Sequence, residues 1–145
     1  MAKAKPVLKK RSKKTPSSEE RRPSGATGLQ HVVWEAVALE QVNPLFQRQY
    51  VVGKNVMLSR IFLTKGSVVP RHNHHNEQIS YVLEGSLVFW LGRKQLFVKA
   101  GEVLLIPPNM PHKVKALEDT LSLDIFDPPR ADWINKTDVY LRKSV

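Results

Sequence analysis

From Leu29 onward, apolar residues come in short runs rich in Val, Leu, Ile and aromatics, separated by Gly, Pro and Asn. That pattern predicts an all-β domain with little helix. Strands are expected near residues 31–37, 56–65, 78–83, 86–91, 95–98, 103–106, 112–115 and 120–126. The clearest hairpin joins residues 87–91 to 95–98 through Gly92, Arg93 and Lys94, with Gly92 free to take a positive φ. A second turn is expected at Glu84 and Gly85. The last strand alternates strictly: Thr120, Ser122, Asp124 and Phe126 share one face, and Leu121, Leu123 and Ile125 the other. Eight short strands suit a jelly roll or closed barrel, which removes the exposed edges of an open sheet. There is no internal repeat.

Composition narrows the chemistry. The chain has 145 residues, 41% hydrophobic and 25% charged, the balance of one soluble globular domain. It has no Cys, so disulfides, thiolate metal sites and cysteine nucleophiles are excluded, and His, Asp, Glu, Gln and Arg remain. Its longest apolar runs, such as residues 103–106, fall far short of the roughly 20 residues that span a bilayer. The formal charge of +10 is unevenly spread: residues 1–28 hold nine Lys or Arg against Glu19 and Glu20, and the other 117 hold 14 basic and 11 acidic residues. Rich in Lys, Ser and Pro without apolar periodicity, residues 1–28 are expected to be a disordered basic tail preceding a folded domain over 29–145. The tail reads as a solubilising extension or as a loose contact for RNA, DNA or anionic lipid. Residues 9–14 also match a nuclear-localisation run, but no apolar stretch of a secretory signal follows the charges, so a cytoplasmic location is the default.

Four of the five histidines fall at two places: His72, His74 and His75 in the segment 70–78, then His112 after Pro107, Pro108, Asn109, Met110 and Pro111. In an extended segment His72, His74 and Gln78 share parity and can converge on one ion, while His75 and Glu77 point away. Imidazole ligates Zn, Ni, Fe and similar ions, and an amide oxygen is a weaker neutral donor. The competing reading is a polar loop with surface histidines, or a hydrogen-bonded pair in the core.

The spacing Gly66-x5-His72-x-His74-x3-Gln78-x6-Gly85 resembles the first motif of the cupin superfamily, with Gln where most members have Glu. Gly101-x5-Pro107-x-Asn109-x2-His112 resembles the second, with Asn109 where Gly is usual and Ala116 replacing a typical Asn. Asn tolerates the left-handed conformation that a Gly would supply. The resemblance implies a single-domain jelly-roll β-barrel holding one divalent transition metal ion (Zn, Ni, Fe or Mn) on His72, His74, Gln78 and His112. A Gln ligand cancels none of the ion's charge, so such a site favours an anionic substrate or a more acidic bound water. A register shift that brings Glu77 in place of Gln78 is the alternative.

In a cupin the lumen can be the polar side, which would turn Asp124 inward and leave the aliphatic side to another sheet or a partner subunit. In an ordinary sandwich Asp124 would be a solvated surface acid. The run from His72 to Gly85, followed by Asp124-x-Phe126-x-Pro-Pro-Arg130, resembles the small cupins of pectin degradation, the KdgF type, over most of residues 56–134. Those proteins promote opening of 4,5-unsaturated uronates to the 4-deoxy-5-keto form. Ala131 stands where relatives tend to have an acid. The resemblance implies Asp124 as proton carrier, Arg130 as catalytic and carboxylate-orienting fork, and Phe126 as part of the substrate pocket. Arg130 equally suits a salt bridge to Asp127 or Asp132. Tyr81, Phe89 and Trp90 read as core, His31 as structural, and Trp133 with Ile134 as an apolar anchor. A small anionic sugar acid is the expected substrate, a homodimer the expected assembly, and no membrane partner is expected. Two other functions stand beside the enzyme reading: a non-catalytic cupin for a small anionic ligand, and an iron-dependent dioxygenase.

Overall fold

The computed structural model describes residues 28–143. The basic tail expected over 1–28 lies, but for Gly28, outside them. Among the described residues a 3-10 turn, Trp34–Ala36, precedes ten strands: β1 Glu40–Asn43, β2 Phe46–Val52, β3 Met57–Leu63, β4 Val68–His72, β5 Glu77–Glu84, β6 Ser86–Leu91, β7 Lys94–Lys99, β8 Val103–Ile106, β9 His112–Ala116 and β10 Thr120–Asp127. Two short helices follow, α1 Ala131–Ile134 and α2 Val139–Arg142. Among the described residues no helix is long and apolar enough to cross a membrane.

The strands form two antiparallel sheets, one ordered β1-β2-β3-β10-β5-β8 and the other β4-β9-β6-β7. The expected all-β architecture is there, but the closed barrel is not, because no ladder joins the two sheets. Edge strand β4 carries Pro70, which has no N–H to donate, and its register against β9 slips between Val69 and His72. The two inner faces meet instead through side chains. Phe46, Ile61, Leu63, Leu87, Phe89 and Val114 fill the space between them.

Two further expectations change. Residues 31–37 do not form a strand: the Val37 N–H donates to the Trp34 carbonyl in a 3-10 turn, and the Gln49 side-chain amide donates to the Trp34 and Val37 carbonyls. Residues 40–52, with their Gln, Arg and Asn, lacked an apolar rhythm, yet they form the β1-β2 hairpin. The β6-β7 hairpin forms as expected, but Lys94 pairs with Leu91 and belongs to the strand. At Gly85, φ is +90° and a Cβ would collide with the Asp119 carbonyl and Thr120, so only Gly fits that turn.

On β10 the polar side faces inward. Thr120, Ser122 and Phe126 are buried, whereas Ile125 on the opposite side is exposed. The outward residues of β10 up to Ile125 are therefore the aliphatic Leu121, Leu123 and Ile125.

The chain end is fastened by charge. Buried Arg48 on β2 pairs with Asp138 at 2.7 Å and with Glu40 at 2.8 Å. Arg142 reaches Asp138 at 3.0 Å and Glu40 at 2.7 Å, and Lys136 reaches Glu40 at 3.0 Å. The Arg48 guanidinium also lies 4.3 Å from the centre of the Trp133 ring. These contacts hold α1 and α2 across one end of the core, where Trp133 and Leu141 are buried.

Burial of Glu40 opposes its ionisation, but hydrogen bonds from Arg48, Arg142 and Lys136 outweigh it and lower its pKa from 4.5 to about 2. The folded value lies below the unfolded one. Its stabilisation is thus complete above about 4.5 and is lost as pH falls towards 2. Glu40→Gln is expected to lose roughly 2 kcal/mol at pH 7, between the limits for surface and buried pairs. Urea unfolding at several pH values should show the gap between parent and variant closing towards pH 2; a gap independent of pH would contradict this origin.

Candidate metal centre and adjoining cavity

At the end of β4 the register brings His72 opposite His112 on β9. Their ring centroids lie 4.2 Å apart, and His74 stands 5.5 Å from His72 and 5.2 Å from His112. His74 sits beyond the strand, in the loop leading to β5, so the loop and not strand parity places it. That loop is secured from two sides. The Asn109 N–H donates to the His74 carbonyl at 2.7 Å, and the buried Asn76 amide donates to the Pro128 carbonyl at 2.6 Å. Asn109 takes φ +67°, the left-handed conformation expected of it.

Each of the three rings is tethered in the same way. Nδ1 of His72 donates to Pro70 O at 2.8 Å, Nδ1 of His74 to Asn76 O at 3.0 Å, and Nδ1 of His112 to Met110 O at 2.8 Å. A carbonyl only accepts, so the hydrogen is on Nδ1 and Nε2 keeps its lone pair. One ligating atom from each ring comes within 4.8 Å of the others.

Gln78 is buried and faces the same point, while Glu77 is exposed on the far face of β5, so the register places Gln78 and not Glu77 here. The Gln78 amide nitrogen donates to Ser80 Oγ at 2.9 Å and to Asp124 Oδ2 at 3.5 Å. This fixes the flip of the amide and aims Oε1 at His74 Nε2, 3.1 Å away. Two lone pairs thus converge, and His112 Nε2 is buried without a hydrogen-bond partner. A cation placed among these atoms would satisfy all of them, so the residues fit a metal ion. Burial keeps the rings neutral: the pKa of His72 falls to about 3 and that of His74 to about 4, with His112 also lowered, and Arg130 adds to the burial effect at each ring.

Beside this cluster is a cavity of about 480 Å³, its open mouth included. Its walls are mostly apolar, and Gln78, Ser80, Ser122, Asp124 and Arg130 supply the polar groups. Asp124 lies on β10 opposite Ser80 of β5. Burial raises its pKa from 3.8 to about 6, against the opposing pull of Ser80, Ser122 and Arg130. Ser122 Oγ donates to Asp124 Oδ1 at 3.0 Å.

Arg130 also lines the cavity, stacked between Phe126 at 5.0 Å and Trp133 at 4.9 Å. Its Nε and Nη2 already bind Asp132 at 2.9 and 2.8 Å, the salt bridge that competed with the substrate role in the sequence. Nη2 also donates to the Tyr140 hydroxyl at 2.7 Å. Only Nη1 lies outside these contacts. Phe126 is buried, its ring edge-on to His74 at 5.8 Å. Tyr140, which no motif flagged, stacks on His72 at 4.8 Å and lines the cavity from α2. Its position depends on the chain end folding back, which leaves no local pattern.

Residues 60–127 match the cupin domain model. Over that stretch the chain is similar to a cupin domain. Among characterised relatives, the pectin degradation protein KdgF of Dickeya dadantii is 29% identical over 82 residues, covering 55% of this chain and 74% of that protein. The solved structure of KdgF from a Halomonas species is 26% identical, with a TM-score of 0.67, covering 72% of this chain and 97% of that chain. Oxalate decarboxylase of Bacillus subtilis, described for its Mn(II) centres, shares the fold at 20% identity and a TM-score of 0.62, over 67% of this chain but only 29% of its own.

His112→Ala is expected to weaken binding of a divalent transition metal by at least about tenfold. The parent's thermal midpoint should rise on adding the metal, and that of the variant should not. Equal calorimetric affinities in the two proteins would rule out this centre.

Proposed function

We propose that this cupin is a metal-dependent enzyme that opens a 4,5-unsaturated uronate, or a closely related sugar acid, to its 4-deoxy-5-keto form. The observation that carries the reading is Asp124, a carboxylate with a raised pKa inside the cavity and hydrogen-bonded to the amide of Gln78. The likeness to KdgF proteins supports the substrate class.

His72, His74, Gln78 and His112 would hold the ion, with Mn, Zn, Ni and Fe all compatible with three imidazoles and an amide oxygen. When bound, the ion supplies Lewis-acid polarisation of a substrate oxygen. The reaction is an isomerisation and needs no co-reactant: the C1–O5 bond of the hemiacetal breaks as the anomeric hydroxyl loses its proton to give the C1 aldehyde, O5 leaves as an enolate, and the enolate takes a proton at C4 to become the 5-ketone. Asp124 accepts the first proton and returns it at C4. Ser80 and Ser122 hold its carboxylate in place during both transfers. Arg130, kept rigid by Asp132 and Tyr140, offers Nη1 and its positive charge to the substrate carboxylate. The apolar walls and Phe126 exclude water from the opened product.

Asp124→Asn is expected to cut the rate by at least about a hundredfold while metal content stays at the parent level. The assay is loss of the ultraviolet absorbance of unsaturated galacturonate, with and without chelator. No acceleration by metal-loaded parent would remove the enzyme reading in favour of ligand binding. Oxygen uptake that requires Fe would favour the dioxygenase.

The same reading includes a homodimer. The outer face of β10, β5 and β8 is the place for a second copy, because Tyr81, Val103, Leu105 and Ile125 are exposed there and carry no charge to repel their like. Leu105→Glu is then expected to sediment as a monomer where the parent sediments as a dimer.

A further inference from the structure

The two sheets divide the charge of the strands unequally. The strands β4, β6, β7 and β9 contain Arg71, Lys94, Lys99, Lys113 and Lys115 and no Asp or Glu. The six strands of the larger sheet contain Arg48 and Arg60 against Glu40, Glu77, Glu84, Asp124 and Asp127.

The register of the smaller sheet sorts these residues by face. Val69, Leu87, Phe89, Val98, Val114 and Ala116 point into the core. The outward row is Val68, Lys115, Val88 and Phe97, one from each strand, and the next is Lys113, Trp90 and Gln95. Lys99 lies across from Ser86 on the same side. Phe97 is 58% exposed, a bare hydrocarbon ring that packs beside buried Val88 with Lys99 two positions along its strand. The Trp90 ring lies under Lys113 Nζ at 5.1 Å. A carboxylate fixed near this face, Glu118, sits at the corner on Ser86 Oγ.

We infer that the outer face of the four-stranded sheet docks single-stranded nucleic acid. Flat bases stack on exposed aromatic rings, and spaced Lys side chains take the phosphates between them. Trp90 and Phe97 occupy diagonal positions on adjacent strands, about 7–8 Å apart; Phe97 presents a free face to a base, and Trp90 does so once Lys113 turns from its ring to a phosphate. An acidic polysaccharide is the weaker fit: its hydroxyls need carboxylate or amide acceptors, and on these strands only Gln95 offers one on this face. The cationic residues 1–28 add attraction without selectivity.

The test uses the full chain and a labelled 12-nucleotide single strand, followed by anisotropy across a salt series. The double reversal Lys113→Glu and Lys115→Glu is expected to weaken binding at least about tenfold and to flatten the salt dependence by more than one neutralised phosphate. Phe97→Ala, which removes no charge, is expected to weaken binding about tenfold through lost stacking. Because these side chains lie on the outside, both variants should keep the parent's thermal midpoint. Parent-level binding by the charge-reversed protein would place the attraction in residues 1–28 and overturn the inference. So would polygalacturonate or an abasic strand competing as well as the intact oligonucleotide.

Discussion

Placing Gln78, Ser80, Ser122 and Asp124 on the inner face of a two-sheet core costs the desolvation of every polar atom, unless each finds a partner there. The adjacent inward positions of β5 and β10 give them one another: Gln78 donates to Ser80 and Asp124, and Ser122 donates to Asp124. Once those bonds are made, the amide oxygen of Gln78 has one direction left, towards the imidazoles. The geometry of the candidate metal centre is thus a by-product of satisfying the core. A single apolar replacement in this row would relieve one burial cost and leave its neighbour unpaired.

The cavity survives beside this row because the chain end closes over it without filling it. Trp133, Tyr140 and Leu141 come from two helices of four residues each, far too short to be stable alone. Their hold is the ion cluster of Glu40, Arg48, Asp138 and Arg142, together with the Asn43 amide, which donates to the Leu141 carbonyl at 2.8 Å. Arg130 is fixed in the same way, by Asp132 and Tyr140 around it and by two aromatic faces. The guanidinium reaches the cavity already oriented.

What the sequence disclosed was governed by distance along the chain. The hairpin at Gly92, the left-handed Asn109 and the alternation of β10 are local, and each was legible from a few neighbouring residues. The histidine spacing was legible too, although a loop and not strand parity brings His74 to the others. The alternation could not say which face was inner, because that depends on what the second sheet presents. Strands β1 and β2 were missed, since their polar residues serve the ion cluster and a side-chain bond to the Trp34 segment instead of an apolar stripe. Tyr140 and the sealing of the Arg130 fork rest on a tertiary return that no short window contains. The closed barrel failed for a related reason: ten strands satisfy the count, but ladders require matching edges, and Pro70 removes one.

The tethers on the three imidazoles have a consequence for how an ion would enter. Each Nδ1 hydrogen is committed to a main-chain oxygen two residues away, and each Nε2 presents a bare lone pair before any ion arrives. Gln78 is neutral in either state. Uptake of a cation near neutrality would therefore displace no hydrogen ion from these four side chains. The tethers fix the three ring orientations as the chain folds, so an arriving ion would meet ligands already in place.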